Sequence, residues 1–580
     1  MIDSSTLKDL EFDKVLEEIS SRCRSPAGRK AVLGIAPFES SEEIEARRAL
    51  IEELRRFIVE EGALALSRFE DISSALERVR PGGAILEPAD FLDIRNILGV
   101  IKDVSCQLTG RPDLELLAGI ASSLTGFPEL LKLLDRSFDS EGNVVDGASP
   151  TLSSLRKKLK GLSGRVSSRL DELVRDENIA PFLQDDFVTK RGERWVIPVR
   201  MDAKGQVSGV VHDVSNTGET AFVEPIEIIS MVNELENLSA DEKGEVIRIK
   251  RSICDAIRDV APDFERQFYV NVHLDLVNAI AEYADRYGMN AATIADSQTI
   301  RLKGASHPLL VAQQREGVIG KVVPLDFALE GDKRVMVITG PNAGGKTITI
   351  KTAGLLILMA LSGIPVSADS SSLFPFAGKL LLDIGDEQSI ENSMSTFSSH
   401  LFRISKIIDE ADEKSVILLD EVGTGTEPLQ GAAIACAVLN ELKNKGAIVF
   451  ATTHLTDIVV FVRKSGGMMN ASMEFDRLSH TPLYKLKEGE PGQSHAIDAA
   501  RRYGLPDSAI KFAREMMGGM NAEMQELISE LKEKGAHYDE AKKAIELRAE
   551  EFALKEAELE AKLNDAREKA QTAYMEAYRE

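Results

Sequence analysis

The chain has 580 residues, 70 Lys and Arg against 94 Asp and Glu, and a formal net charge of −24. That balance excludes a general nucleic-acid coat, but not a local basic stripe, because phosphate contact needs only a few well-placed cations. With 43% hydrophobic and 28% charged residues, the composition is that of a folded multidomain protein with long exposed helices, not of a disordered chain.

The opening MIDSSTLKDLEFDK is acidic and has no apolar stretch, so it is not read as a signal peptide. Residues 1–150 form the first predicted segment, a helical core. Leu10, Val15, Leu16 and Ile19 recur at helical spacing, and RPGG at 80–83 breaks the pattern. Cys23, Cys106, Cys254 and Cys436 are far apart and form no C-x-x-C, as expected of reduced thiols in a cytoplasmic protein. After a turn-rich connection, residues 151–299 form the second segment. It begins as a helix over 151–177 with a basic start that includes Arg156, Lys157, Lys158 and Lys160. Residues 186–225 then change character: apolar runs at 195–199, 207–211 and 220–223 are split by Gly, Asp and Asn turns, which predicts a small antiparallel sheet. Lys190, Arg191, Arg194, Arg200 and Lys204 cluster there as candidate phosphate contacts. Long helix returns from 226 to about 295.

Residues 300–520 alternate strands and helices, as in an α/β domain. The apolar run at 353–366 contains Gly and Pro and is too short to span a bilayer, so no membrane partner is expected. The strand RVMVIT leads into Gly340, Pro341, Asn342, Ala343, Gly344, Gly345, Lys346 and Thr347, and a helix follows. This is G-x-x-x-x-G-K-T in the strand–loop–helix setting it requires. Glycines let backbone N–H groups converge on phosphate oxygens, Lys346 reaches the β/γ-phosphates, and the Thr347 hydroxyl suits Mg²⁺. Further on, SVILLDE delivers Asp420 and Glu421 at the end of an apolar strand. Asp420 is expected to hold the Mg²⁺ shell, and Glu421 to polarise the attacking water. A third apolar strand, AIVFATTH, ends in His454. The cofactors expected are therefore ATP and Mg²⁺. Leu162-Ser-Gly-Arg165 imitates a signature loop of ABC transporters, but it lies upstream of the phosphate loop and is rejected.

Taken together, TGPNAGGKTITIKT, STFSSH, LLDEVGTGTEP and ATTH resemble the ATPase of the MutS family. DIGDEQSIENSMSTFSSH (383–400), VVHDVSNTGETAFVEP (210–225) and the opening TLKDLEFDKVLEEI resemble its second bacterial branch, so the likeness covers essentially the whole chain. The resemblance implies a helical core and lever arms carrying a β-rich clamp at 186–225, followed by an ABC-type P-loop ATPase. It also implies a homodimer whose ATP sites are each built from both chains. In that scheme His454 resembles the γ-phosphate switch, while Ser395 and Thr396, with Phe397, resemble the loop that faces the partner's nucleotide. The implied targets are stalled or collided ribosomes, bound through rRNA and split into subunits, or branched DNA, where binding suppresses recombination.

Two departures bear on function. The mismatch-repair members carry an F-x-E wedge on a separate N-terminal domain. Here Phe127-Pro-Glu129 and Phe222-Val-Glu224 match those letters only by chance, so mismatch recognition is not expected. The branch also ends in a Smr domain with endonuclease activity, which nothing after residue 521 resembles. The chain therefore reads as a piece of a longer protein. Residues 521–580 read as a charged helix or coiled coil, with Leu531, Tyr538, Ile545, Phe552, Leu559 and Ala566 at every seventh position. An alternative class, an SMC-like structural tether, requires a long coil between the two halves of the ATPase. Only 74 positions separate Lys346 from Asp420.

Overall fold

The computed structural model describes residues 2–192, 194–295, 297–341, 344–385, 396–476, 481–490 and 504–517. They fall in two compact units: Met1–Glu474 with Pro482–Gly492, and Phe475–Thr481 with Gln493–Glu580. In the second unit the described helix is Asp507–Met517, which buries Ile510. The heptad-spaced segment 521–580 lies outside the described residues.

The first unit opens with helices α1 (Ser4–Asp9), α2 (Phe12–Ser20), α3 (Pro26–Leu33), α4 (Ser41–Glu61), α5 (Ser73–Val79), α6 (Pro88–Leu108), α7 (Glu115–Ser123) and α8 (Pro128–Ser137). Their apolar stripes bury Phe12, Phe57, Phe69 and Phe91 completely. Helix α9 (Pro150–Arg175) is capped by Ser149, whose side chain accepts from the Leu152 N–H. A four-stranded sheet follows, built from β1 (Thr189–Arg191), β2 (Arg194–Arg200), β3 (Gly209–Val214) and β4 (Thr220–Pro225) in the order β1-β2-β4-β3. Three of these strands match the sequence expectation. The polar strand β1 has no apolar signal and was not foreseen.

Helix α10 (Ile226–Tyr287) runs unbroken for 62 residues, about 93 Å at 1.5 Å per residue. Its first half packs on α9. Its second half is buried among α2, α3 and α4, with Phe264, Phe268 and Tyr283 fully enclosed. A buried carboxylate fixes that junction: Asp275 accepts from the Arg24 N–H (2.8 Å), the Ser25 N–H (2.9 Å) and the Ser25 hydroxyl (2.7 Å). Burial raises its pKa, and these donors oppose the rise.

The remainder is α/β. Strands β5 (Thr293–Ala295), β6 (Ile300–Ala305), β7 (Leu325–Leu329) and β9 (Leu373–Pro375) form one sheet in the order β5-β9-β6-β7. A six-stranded sheet holds β8 (Val335–Thr339), β10 (Lys379–Asp383), β11 (Ser415–Leu419), β12 (Ile448–Thr452), β13 (Met468–Asp476) and β14 (Thr481–Glu488) in the order β10-β11-β12-β8-β13-β14. The pairs β10–β11, β11–β12, β12–β8 and β8–β13 are parallel. Strands β8, β11 and β12 are buried at every position, which explains their unbroken apolar runs. Helix α11 (Pro308–Arg315) precedes β7. Helices α12 (Lys346–Leu361), α13 (Thr396–Glu410), α14 (Pro428–Asn444) and α15 (Thr456–Lys464) accompany the six-stranded sheet. Among the described residues, no long coil interrupts the span from Lys346 to Asp420, and no single helix is long and apolar enough to cross a membrane.

Candidate active site at the carboxyl edge of the parallel sheet

Parallel strands deliver their C-terminal ends to one edge, where α/β folds place ligands. Strand β8 ends there at Thr339 and passes into the glycine loop, β11 ends at Leu419 and leads into Asp420 and Glu421, and β12 ends at Thr452 and leads into Thr453 and His454. The sheet thus gathers residues that lie up to 115 positions apart in the chain.

The loop turns on glycine. Gly340 has φ 138° and Gly345 has φ 90°, backbone that other residues adopt only with strain. Gly345 also caps α12, so the amino end of that helix opens on the loop. Lys346 is 2% exposed and its Nζ donates to the Gly340 carbonyl at 2.7 Å. Burial pulls its pKa below the ordinary lysine value, while the Glu421 and Asp420 carboxylates pull the other way. An ammonium held desolvated next to two carboxylates is poised for an anionic ligand. Asn342 and Ala343 lie outside the described residues.

The Thr347 hydroxyl donates to Asp420 Oδ2 at 2.7 Å, so the two oxygen groups that the sequence leads one to expect around Mg²⁺ are adjacent. The other Asp420 oxygen accepts from the hydroxyl of Thr452, and Thr452 Oγ1 also accepts from the Glu421 N–H at 2.8 Å. Glu421 sits at φ 48°, a strained conformation of the kind that clusters at functional sites. Thr452 is fully buried and holds the paired carboxylates in place. Its position follows from strand register: Leu419 faces Ala451, so the next residues, Asp420 and Thr452, fall side by side. His454 is exposed just beyond, and its turn is held by Thr453, whose hydroxyl donates to the Val422 carbonyl at 3.2 Å.

Replacing Thr452 with Val keeps the shape but leaves Asp420 Oδ1 and the Glu421 N–H without this partner. Each such loss costs about 1–3 kcal/mol, or roughly 5- to 150-fold if it falls on the reacting state. Thr452→Val is therefore expected to lower kcat for ATP within that range with KM little changed, and Thr452→Ser to restore it. Steady-state hydrolysis of the two variants checks this.

Two further features were not foreseen. Asp383, 2% exposed, accepts from His400 Nδ1 at 2.9 Å and from Arg403 Nε at 2.7 Å, and its carbonyl accepts from the Asp420 N–H at 2.8 Å. This links α13 to the strand end that carries Asp420. The second is Tyr484, at φ 56°, whose half-exposed ring lies 3.2 Å from where a side chain on Gly345 would begin. An aromatic face at the mouth of a phosphate loop suits stacking on a flat base. Ser395 lies outside the described residues. Thr396 is the first residue of α13, which is all that is described of it.

The cations of the β-rich sheet are mostly engaged within the chain. Arg194 pairs with Glu224 (3.4 Å) and Glu236 (3.0 Å), and Arg200 with Asp202 (2.6 Å). Lys190 lies over the Trp195 ring, and Arg191 over the Phe222 ring and near Asp213. Lys204 is exposed. Neither F-x-E match forms a wedge: Phe127 packs edge-on against Phe264, and Phe222 is buried with Glu224 bonded to His212 and Arg194. Leu162, the first residue of the rejected transporter-like motif, is a buried residue of α9.

A nucleotide-type site on a parallel sheet is the class of centre this edge defines. The family described as MutS domain V matches residues 336–521, a span that includes all the strand ends above. "Endonuclease MutS2" of Caldicellulosiruptor saccharolyticus is 35% identical over 557 residues, covering 96% of this chain and 70% of that protein. Proteins of the same name from Clostridium beijerinckii (36% over 582 residues; 99% and 72%) and Bacillus velezensis (36% over 538 residues; 92% and 68%) are similar to the same extent. The chain belongs to the MutS family, in its MutS2 branch. That membership supports a nucleic-acid-binding ATPase.

Proposed function

We propose that the chain is an ATP-dependent clamp on structured nucleic acid that works as a homodimer and acts on stalled or collided ribosomes through rRNA, where its motion separates the subunits. The observation that carries this reading is the convergence of Lys346, Thr347, Asp420, Glu421 and Thr452 at one sheet edge. Lys346 and the loop N–H groups bind the phosphates of ATP. Thr347 and Asp420, two hard oxygen donors already in contact, fit Mg²⁺ and would hold it. When bound, the ion offsets charge on the phosphates. Glu421 accepts the proton of the attacking water, and Thr452 keeps its backbone fixed while it does so. His454 senses the γ-phosphate, and Tyr484 stacks on the base. Ser395 and Thr396 of one chain complete the site of the other, and the Asp383–His400–Arg403 cluster ties that loop's helix to Asp420. No nuclease chemistry is assigned to this site.

Neither F-x-E match among the described residues forms a mismatch wedge, which favours the ribosome over mismatched DNA. A second reading, branched DNA with suppression of recombination, draws on the word endonuclease in the relatives' names, which implies a nucleic-acid substrate for them. Affinity purification of the Glu421→Gln form from cells separates the two. Co-purifying rRNA in ribosomal stoichiometry is the expected result, co-purifying chromosomal DNA alone supports the second reading, and neither nucleic acid contradicts both.

A further inference from the structure

The strongest unassigned charged surface lies on α9. From Pro150 to Leu170 this helix contains no acidic residue, in a chain with 94 of them. Leu152, Leu162, Val166, Leu170 and Leu173 are buried and mark the inward face. By helical periodicity, the outward arc carries Lys157, Lys158, Lys160 and Arg165, interleaved with Ser153, Ser154, Gly161, Gly164, Ser167 and Ser168. All four cations are exposed, and none pairs with an acidic side chain among the described residues. The contrast with their neighbours is informative. Arg156, turned towards α10, is held by Glu242 (2.9 Å) and Asp146 (2.8 Å), and Arg169 by Glu227 and Glu172. Cations within reach of α10 are neutralised; those turned away from it are not.

Two features argue against an ordinary solvated face. Like charges three and four residues apart weaken a helix, and each interior glycine costs it about 1 kcal/mol relative to alanine. Gly161 and Gly164 also have open space where a side chain would project, so internal packing does not account for them. Small residues between long cations leave a low, flat surface that another backbone can approach closely. Lys157 and Arg165 are about 12 Å apart along the helix axis, and phosphates on one strand of a duplex are spaced at about 3.4 Å. Four cations over that length match a short run of a phosphate backbone, with no means of reading base sequence.

We propose that this outward face of α9 is a main nucleic-acid backbone contact of the protein, ahead of the cations of the β-rich sheet. It rests on the nucleic-acid reading above and names the surface that serves it. The test measures binding of a mixed-sequence duplex DNA and of a structured RNA hairpin across about 50–200 mM salt. The parent is compared with the variant Lys157→Gln, Lys158→Gln, Lys160→Gln, Arg165→Gln and with the variant Arg200→Gln, Lys204→Gln. The fourfold variant is expected to bind about tenfold or more weakly, with a log–log salt slope shallower by about 3, while the sheet variant changes less. Loss confined to the RNA arm would identify RNA as the source of the phosphates; equal loss in both arms would show that the contact ignores the sugar. A charge-retaining variant, Lys157→Arg, Lys158→Arg, Lys160→Arg, should bind as the parent does, which separates lost charge from lost folding. If the parent binds and the fourfold variant keeps its affinity and slope, this proposal is overturned and the nucleic-acid reading stands. If the parent binds neither probe at the lowest salt, that reading falls, and this proposal with it.

Discussion

Replacing Glu421 with Gln is expected to lower ATP turnover by about 10²- to 10⁴-fold while leaving ATP affinity within a few-fold of the parent. Glutamine preserves size and hydrogen bonding but cannot accept the water proton. The position is otherwise prepared: the Glu421 N–H is held by Thr452 Oγ1, and the backbone is locked at φ 48°. Binding depends instead on the glycine loop, Lys346 and Thr347, none of which the substitution replaces. Single-turnover hydrolysis together with equilibrium ATP binding separates the two quantities. Loss of binding equal to loss of turnover would remove Glu421 from the chemical step.

Lys346→Ala should lower both sharply. A buried, charge-assisted contact contributes about 1.5–3 kcal/mol to binding, so affinity should fall roughly 10- to 150-fold, and removing a donor to developing charge costs a further 10²–10³ in rate. Lys346→Met distinguishes chemistry from folding. Burial works against the Lys346 charge in the free protein, so an apolar chain of similar length removes that penalty. Its thermal midpoint should equal or exceed the parent's while hydrolysis is lost. Normal turnover by either variant would sink the assignment of the loop.

The phosphate loop was legible because its backbone demands glycine at fixed spacing and its chemistry demands Lys and Thr immediately after. Asp420 and Glu421 were legible as the polar end of an apolar strand. Thr452 and Asp383 were not, because their roles come from strand register and from a carboxylate that contacts residues 17 and 20 positions on, His400 and Arg403. Tyr484 was hidden for the same reason, lying 139 positions from the glycine it approaches. Charge was the least legible property. A cluster of cations in sequence says nothing of its neighbours, and Arg194 proves to be paired with Glu224 and Glu236 from later in the chain. Among the described residues, the outward cations of α9 have no acidic partner, whereas Arg156 and Arg169 are paired with Glu242 and Glu227 of α10. Among the strands, β1 went unseen since its pattern, Thr-Lys-Arg, has no apolar alternation.

The account stands most directly on sedimentation of Glu421→Gln with and without Mg-ATP, with bound nucleotide counted. Two composite sites that bind ATP without turning it over predict an ATP-dependent shift to a dimer holding one nucleotide per chain. A chain that binds ATP yet stays monomeric with Mg-ATP, under concentrations where the parent dimerises, would contradict it.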